Sequence, residues 1–96
     1  MNGEWMAEGN TIFIGRKNVM SYVLAIVTQF NNSAKEVHIR ARGNLISRAV
    51  DVAEIARSKF VQGAKVRGIS ISTDDVPCED GSVSKVSAIE IILEKL

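Results

Sequence analysis

Apolar residues recur along the chain at two different spacings, and these spacings predict most of the secondary structure. Over residues 19–30 they return every three or four positions, which is typical of one face of an α-helix. Asn18 precedes this helix as a candidate N-cap, and residues 31–33, Asn-Asn-Ser, end it. Residues 36–41 alternate apolar and polar, and residues 11–15 carry Ile12 and Ile14 before a glycine. The chain therefore begins with a predicted strand, helix and strand.

A second helix and a hairpin are predicted in the remaining residues. The helix follows the turn at residues 42–44, with Asn44 as its N-cap, and Gly63 ends it. Residues 66–76 and 83–93 then read as two strands separated by the turn signal Asp80-Gly81. Two strand–helix units followed by a hairpin predict a two-layer α/β fold with a mostly parallel sheet.

The predicted hairpin is long, at about eleven residues per strand against an average of about five or six. Its base is apolar at Ile69, Ile71, Ile89, Ile91 and Leu93. Residues 72–85, called the arm below, are almost all polar. At about 3.4 Å per residue the arm would project some 15–20 Å beyond the core. An ordinary long loop is the alternative. If the arm forms as a hairpin, its function is to extend beyond the core.

The domain organisation follows from length and composition. Residues 1–10 are polar and aperiodic, so we expect a flexible N-terminal tail followed by one domain over residues 11–96. The single cysteine, Cys78, excludes an intrachain disulfide and fits a reducing compartment. Without a signal peptide or an apolar stretch long enough to span a membrane, we expect a soluble cytoplasmic protein.

Charge is distributed unevenly although its total is only +1. Residues 16–67 hold ten Lys or Arg against three acids, a net +7, whereas residues 68–96 hold two against six, a net −4. This asymmetry suggests an anionic partner such as nucleic acid for the basic part. A mixed, solvated surface is the alternative reading of charge alone.

Two basic turns each follow a predicted strand and precede a helix. Residues 15–18 read Gly-Arg-Lys-Asn, and residues 40–44 read Arg-Ala-Arg-Gly-Asn, with Arg48 one helical turn further. Paired cations beside the free N–H groups of a helix start form a plausible phosphate site. Because parallel strands end at the same sheet edge, we expect both turns to meet there.

Other chemistry is poorly represented. His38 is the only histidine, Cys78 has no histidine partner nearby, and the acids at residues 74–80 do not match a calcium loop. No motif predicts a metal, a cofactor or a catalytic set, so we expect a protein that is not an enzyme.

Three segments carry a family resemblance over about residues 11–95. They read Ile-Gly-Arg-Lys-Asn-Val-Met-Ser-Tyr-Val at 14–23, Ile-Arg-Ala-Arg-Gly-Asn-Leu-Ile-Ser-Arg-Ala-Val-Asp at 39–51, and Val-Ser-Ala-Ile-Glu-Ile at 86–91. The chain thereby resembles the Alba family of archaeal chromatin proteins. The resemblance implies a β-α-β-α-β-β fold with a four-stranded mixed sheet, two helices and a protruding β-hairpin. It also implies a homodimer that binds duplex DNA, and often RNA, without strong sequence choice.

The resemblance assigns roles to individual residues. It implies phosphate contacts by Arg16, Lys17, Arg40, Arg42 and Arg48. It further implies backbone or amide contacts by Gly43 and Asn44, and a contact by Lys85 from the arm. Phe60 matches a position at which dimers meet side by side on DNA, and burial inside the second helix is its alternative.

The chain also departs from the family. Family arms are rich in Arg or Lys, whereas here Lys85 stands against four acids, which should repel phosphate: Asp74, Asp75, Glu79 and Asp80. In the family, acetylation of one lysine of a lysine pair weakens DNA binding. The pair here reads Arg16-Lys17, and because arginine is not acetylated, only Lys17 can be modified in this way.

The sequence interpretation is a non-enzymatic, chromosome-associated homodimer that binds duplex DNA through phosphate. Two alternatives stay open: an RNA-binding protein of an RNA-processing or RNA-protecting particle, and a protein–protein adaptor that uses the acidic arm. An enzyme acting on nucleic acid ranks behind both.

Overall fold

The computed structural model describes residues 7–8 and 10–95. Its strands are β1 (Ala7–Glu8), β2 (Thr11–Phe13), β3 (Glu36–Arg42), β4 (Lys65–Pro77) and β5 (Val83–Glu94). Its helices are α1 (Val19–Asn31) and α2 (Ile46–Ile55). A 3-10 turn (Gly43–Leu45) leads into α2, and one π-helical turn (Ala56–Phe60) extends it.

The strands described here form one mixed sheet in the order β1-β2-β3-β5-β4. Within this part of the chain only β2 and β3 pair in parallel, so the mostly parallel sheet expected from the element order is wrong. The reason is that the hairpin inserts β5 antiparallel beside β3 and leaves β4 at the edge. The mixed sheet implied by the family resemblance is confirmed.

The short strand β1 lies within the segment expected to be a tail. Ala7 and Glu8 pair antiparallel with Ile12 and Thr11, which adds a fifth, two-residue strand to the expected four. Residues 1–6 and Gly9 lie outside the described residues, so flexibility there stays a prediction.

Both helices cover one face of the sheet, mainly over β2, β3 and β5. The alternation predicted in β3 is confirmed, because Val37, Ile39 and Ala41 are buried beneath the helices. Complete burial of a side chain as large as Val37 or Ile39 stabilises the fold by about 1.5–3 kcal/mol. The opposite face is called the open face below, and no helix of the described residues covers it. It includes Phe13, His38, Arg40, Arg42, Ala88 and Glu90.

The hairpin base is less buried than its apolar sequence predicts. Ile91 and Leu93 of β5 belong to the core, but Ile69 and Ile71 of β4 are 60% and 80% exposed. They lie outside the core because β4 is the edge strand and lies beyond the reach of the helices.

The two helix starts differ in how they are capped. Asn18 caps α1 as predicted, since its Oδ1 accepts a hydrogen bond from the Met20 N–H at 2.7 Å. Asn44 is not an N-cap: it lies inside the 3-10 turn, and no side chain caps α2. The turn itself supplies the bond, because the Ile46 N–H donates to the Gly43 carbonyl.

The arm is a paired hairpin, so the loop alternative is wrong. β4 and β5 stay in register to the pair Pro77–Val83. The Cys78 N–H donates to the Ser82 carbonyl at 2.8 Å, and Gly81 has a φ of +90° at the predicted turn.

Candidate nucleic-acid interface

The first basic turn is held in place by a buried tyrosine hydroxyl. Tyr22 Oη accepts hydrogen bonds from the Gly15 N–H at 2.9 Å and the Lys17 N–H at 3.1 Å. A Cβ at Gly15 would lie 3.1 Å from that oxygen, so a larger residue would push the anchor aside. The fixed backbone presents Arg16 and Lys17 as exposed side chains.

Arg48 joins the first basic turn to α2. Its Nη1 donates to the Lys17 carbonyl oxygen at 2.6 Å, across 31 residues of sequence. Because β2 and β3 run parallel, the second basic turn begins at the same edge of the sheet. The two turns thus meet there, as their positions after parallel strands predict. We call this cation group the basic edge: Arg16, Lys17, Arg40, Arg42 and Arg48.

The second basic turn depends on a close backbone approach. Gly43 has a φ of +59°, and a Cβ there would lie 3.4 Å from Val86 Cγ1. Any other residue would be strained in this left-handed conformation. Arg40, Arg42 and Asn44 are exposed around it.

Two contacts orient the arginines of the open face. The Arg40 guanidinium lies over the Phe13 ring, 5.9 Å from its centroid, within the range of a cation–π contact. Arg42 Nε lies 3.6 Å from Asp74 Oδ2, close enough for charge attraction but too long for a good hydrogen bond.

The arm places its cation against one of its own acids. Lys85 Nζ lies 2.8 Å from Asp75 Oδ1, with both side chains largely exposed. Exposed pairs of this kind contribute little to stability, so a phosphate can compete for the lysine. Asp80 accepts hydrogen bonds from the side chain and backbone of Ser82, which lower the pKa of its carboxyl.

His38 belongs to an ion-pair network on the open face. Its Nδ1 and Nε2 each lie 2.8 Å from a carboxylate oxygen, of Glu90 and Glu36 respectively. Hydrogen bonds to Glu36 and then Glu90 raise the pKa of His38, and the bond from His38 lowers the pKa of Glu36. Arg67 adds ion pairs with Glu36 at 2.8 Å and Glu94 at 3.6 Å. The histidine is part of a charged structural network.

An apolar surface lies on the side of α2 that faces the hairpin. Ile46, Ile71 and Ile89 line a groove of about 390 Å³ between α2 and the edge strand β4. Phe60 is 46% exposed in the π-helical turn, so its simple burial is wrong.

Neither a metal cluster nor a membrane helix is found in the part of the chain that the structure describes. No three His, Cys, Asp or Glu residues there are placed to hold a metal ion. None of the helices there has the length and apolar character needed to cross a membrane.

Sequence reasoning missed three side chains that shape the interface. Tyr22 falls within the apolar repeat of residues 19–30, whose spacing does not reveal that its hydroxyl orients the first turn. Phe13 received no role, although strand alternation places it on the side of Arg40. Asp74 was treated only as a repelling charge, whereas it lies beside Arg42.

Comparison with known proteins gives a consistent result. The Alba family model matches residues 10–73. The DNA/RNA-binding protein Alba of Methanothrix thermoacetophila is 57% identical over 90 residues, 94% of this chain and all of that protein. DNA/RNA-binding protein Alba 1 of Archaeoglobus fulgidus is 58% identical, over 94% of this chain and 99% of that protein. The structure of Alba from Thermoplasma volcanium superposes with a TM-score of 0.85 at 53% identity, covering 90% of this chain and all of that one. The chain belongs to the Alba family.

Proposed function

We propose that this protein is a homodimer that binds duplex DNA through its phosphates, with little sequence choice, and serves the archaeal chromosome without catalysing a reaction. The observation that carries the proposal is the bond between Arg48 and the Lys17 carbonyl, which ties the first basic turn to α2, the helix that follows the second basic turn. The relatives named DNA/RNA-binding support it.

The basic edge is better suited to bind the phosphates of a nucleic acid than to recognise its bases. Four of its cations are exposed, Arg48 is half-buried, and the glycine turn beside them lets a backbone approach closely. Contacts of this type position a protein on the duplex but carry no sequence information. Gly43 and Asn44 add backbone and amide contacts in this proposal, and Lys85 reaches phosphate from the arm. Lys17 is the proposed site of any acetylation that weakens binding.

The proposed homodimer uses the apolar surface. An unpaired edge strand with exposed Ile69 and Ile71 invites association unless something covers it. A second copy would cover these side chains and fill the groove beside Ile46. Phe60, exposed on a different element, is the proposed contact between dimers side by side on DNA.

The test compares two double variants that each remove two charges per subunit. Arg16→Gln with Lys17→Gln alters the basic edge. Lys35→Gln with Lys95→Gln alters the opposite end of the sheet, where the Lys95 N–H bonds to the Lys35 carbonyl. In duplex DNA titrations across salt, the first should make the log–log slope shallower by about 3 to 4 for a dimer. Equal losses for both variants would refute phosphate binding at the basic edge.

RNA is the second candidate ligand, because the relatives' names include it and phosphate contacts do not separate A-form from B-form duplexes. Matched RNA and DNA duplexes decide between them.

The exposed Val50 of α2 and Phe60 of the π-helical turn favour the adaptor alternative. A protein complex that persists after nuclease treatment would support it.

A further inference from the structure

A cavity of about 480 Å³ opens at the basic edge, lined in part by Arg40 and Arg42, and phosphate binding alone gives no role to the space that it encloses. It lies where β3 ends and the arm begins, and its lining includes Phe13, Arg40, Arg42, Leu45, Asp74 and Ala88. Its volume is within the range of about 300–1,000 Å³ usual for small-ligand pockets. A group that enters it would be adjacent to the strand end that leads to Gly43.

One part of the lining is suited to a flat aromatic ligand. Phe13 and Arg40 already form a ring–guanidinium pair, and Leu45 and Ala88 add apolar surface. Unpaired nucleobases stack on aromatic rings and on Arg planes in proteins that bind single strands. A paired base within a duplex cannot enter, because its faces are covered by its neighbours.

The other part holds a donor and an acceptor that do not satisfy each other. Arg42 Nε and Asp74 Oδ2 are 3.6 Å apart, so each keeps capacity for a hydrogen bond to a ligand. A carboxylate accepts through two oxygens. Guanine offers it two adjacent donors, N1–H and the N2 amino group, whereas adenine offers one amino group. Guanine also presents O6 and N7, which Arg binds in nucleic acids.

We propose that the cavity formed by Phe13, Arg40, Arg42 and Asp74 binds an unpaired guanine base of a nucleic acid whose phosphates lie on the basic edge. This inference rests on the proposed function and names the ligand feature that the same edge recognises. It gives Asp74, an acid beside a phosphate site, the task of reading the base.

The experiment uses the full chain and duplexes that carry a single unpaired nucleotide. Fluorescence anisotropy compares an unpaired G, an unpaired A and the fully paired duplex, each made as DNA and as RNA. We expect the unpaired G to bind about tenfold more tightly than the paired duplex. An advantage in either the DNA or the RNA set supports the pocket and identifies the nucleic acid it serves.

Two adjacent aspartates provide the matched control. Asp74→Asn and Asp75→Asn each remove one negative charge, but Asp75 alternates to the other side of β4 and pairs with Lys85. Only Asp74→Asn should abolish the preference for G over A. Phe13→Leu, which keeps an apolar side chain, should reduce the advantage of every unpaired base over the paired duplex.

The outcomes separate this inference from the proposed function. Equal binding of G-containing and paired duplexes by the wild type overturns the pocket while phosphate binding stands. Identical behaviour of the two Asp variants overturns the reading of guanine by Asp74. Failure to bind any duplex at low salt overturns both proposals together.

Discussion

Replacing Tyr22 by Phe should destabilise the protein and weaken nucleic-acid binding together. The substitution keeps the ring in the core, where Tyr22 is only 3% exposed, and removes the oxygen that accepts two hydrogen bonds. The N–H groups of Gly15 and Lys17 then lose this partner in partly buried positions. The first basic turn consequently loses its main local anchor.

The size of the effect follows from these two bonds. Each contributes about 0.5–1.5 kcal/mol, so we expect a loss of about 1–3 kcal/mol in the free energy of unfolding. In a domain of this length, 1 kcal/mol corresponds to about 4–8 °C in Tm. Duplex affinity should fall several-fold, because a looser turn must be ordered again on binding.

Urea unfolding at one protein concentration and duplex anisotropy measure the two effects. Thr28→Val is the matched control, since it removes a hydroxyl whose bond to the Leu24 carbonyl, at 2.8 Å, lies on the exposed side of α1. We expect it to change stability by less than about 0.5 kcal/mol. A Tyr22→Phe protein with wild-type stability and affinity would refute the anchoring role of the hydroxyl.

Three further predictions follow from the charged network, the arm and the edge strand. Because the pKa of His38 is raised, its contribution to stability is complete below about pH 6.5 and is lost as pH rises through the raised pKa. Because the pKa of Glu36 is lowered, its contribution to stability is present above about pH 4.5 and is lost as pH falls through the lowered pKa. Urea curves should therefore show greater stability near pH 5.5 than near pH 8, and His38→Gln should remove this difference. Neutralising the four acids of the arm together should strengthen duplex binding several-fold in anisotropy titrations, and unchanged affinity would show that these acids do not oppose phosphate. The four are Asp74, Asp75, Glu79 and Asp80. Ile71→Lys should shift the protein toward monomer in sedimentation experiments, while its circular dichroism spectrum remains that of the folded protein. A variant that remains dimeric would show that the interface lies elsewhere.

The periodicity of apolar residues was sufficient to predict those helices and strands that bury only one face. In α1 and β3 the spacing of apolar residues matches the buried face, and Asn18 caps α1 through a bond within two residues of chain. Such local features depend on neighbours that the sequence itself displays.

Features that depend on distant neighbours could not be predicted in this way. Ile69 and Ile71 are as apolar as the residues of the core, but nothing in their spacing shows that the helices stop short of β4. Asn44 has the chemistry of an N-cap, yet the turn at Gly43 moves the start of α2 past it.

The candidate site shows the same division. The strand ends predicted that the two basic turns share one edge. The bond from Arg48 to the Lys17 carbonyl joins residues 31 apart in sequence, and only the packing of α2 brings them together. The cavity at Phe13 and Asp74 likewise needs the register of four strands.

The most direct test of phosphate binding at the basic edge is the salt dependence of duplex affinity for the wild-type protein. If about three to five cations per subunit meet phosphate, the logarithm of affinity should fall against the logarithm of salt with a slope of about −5 to −9 for the dimer. A slope of that size on DNA, at least as steep as on RNA, is the predicted result. A slope close to zero, or no binding at low salt, would contradict it.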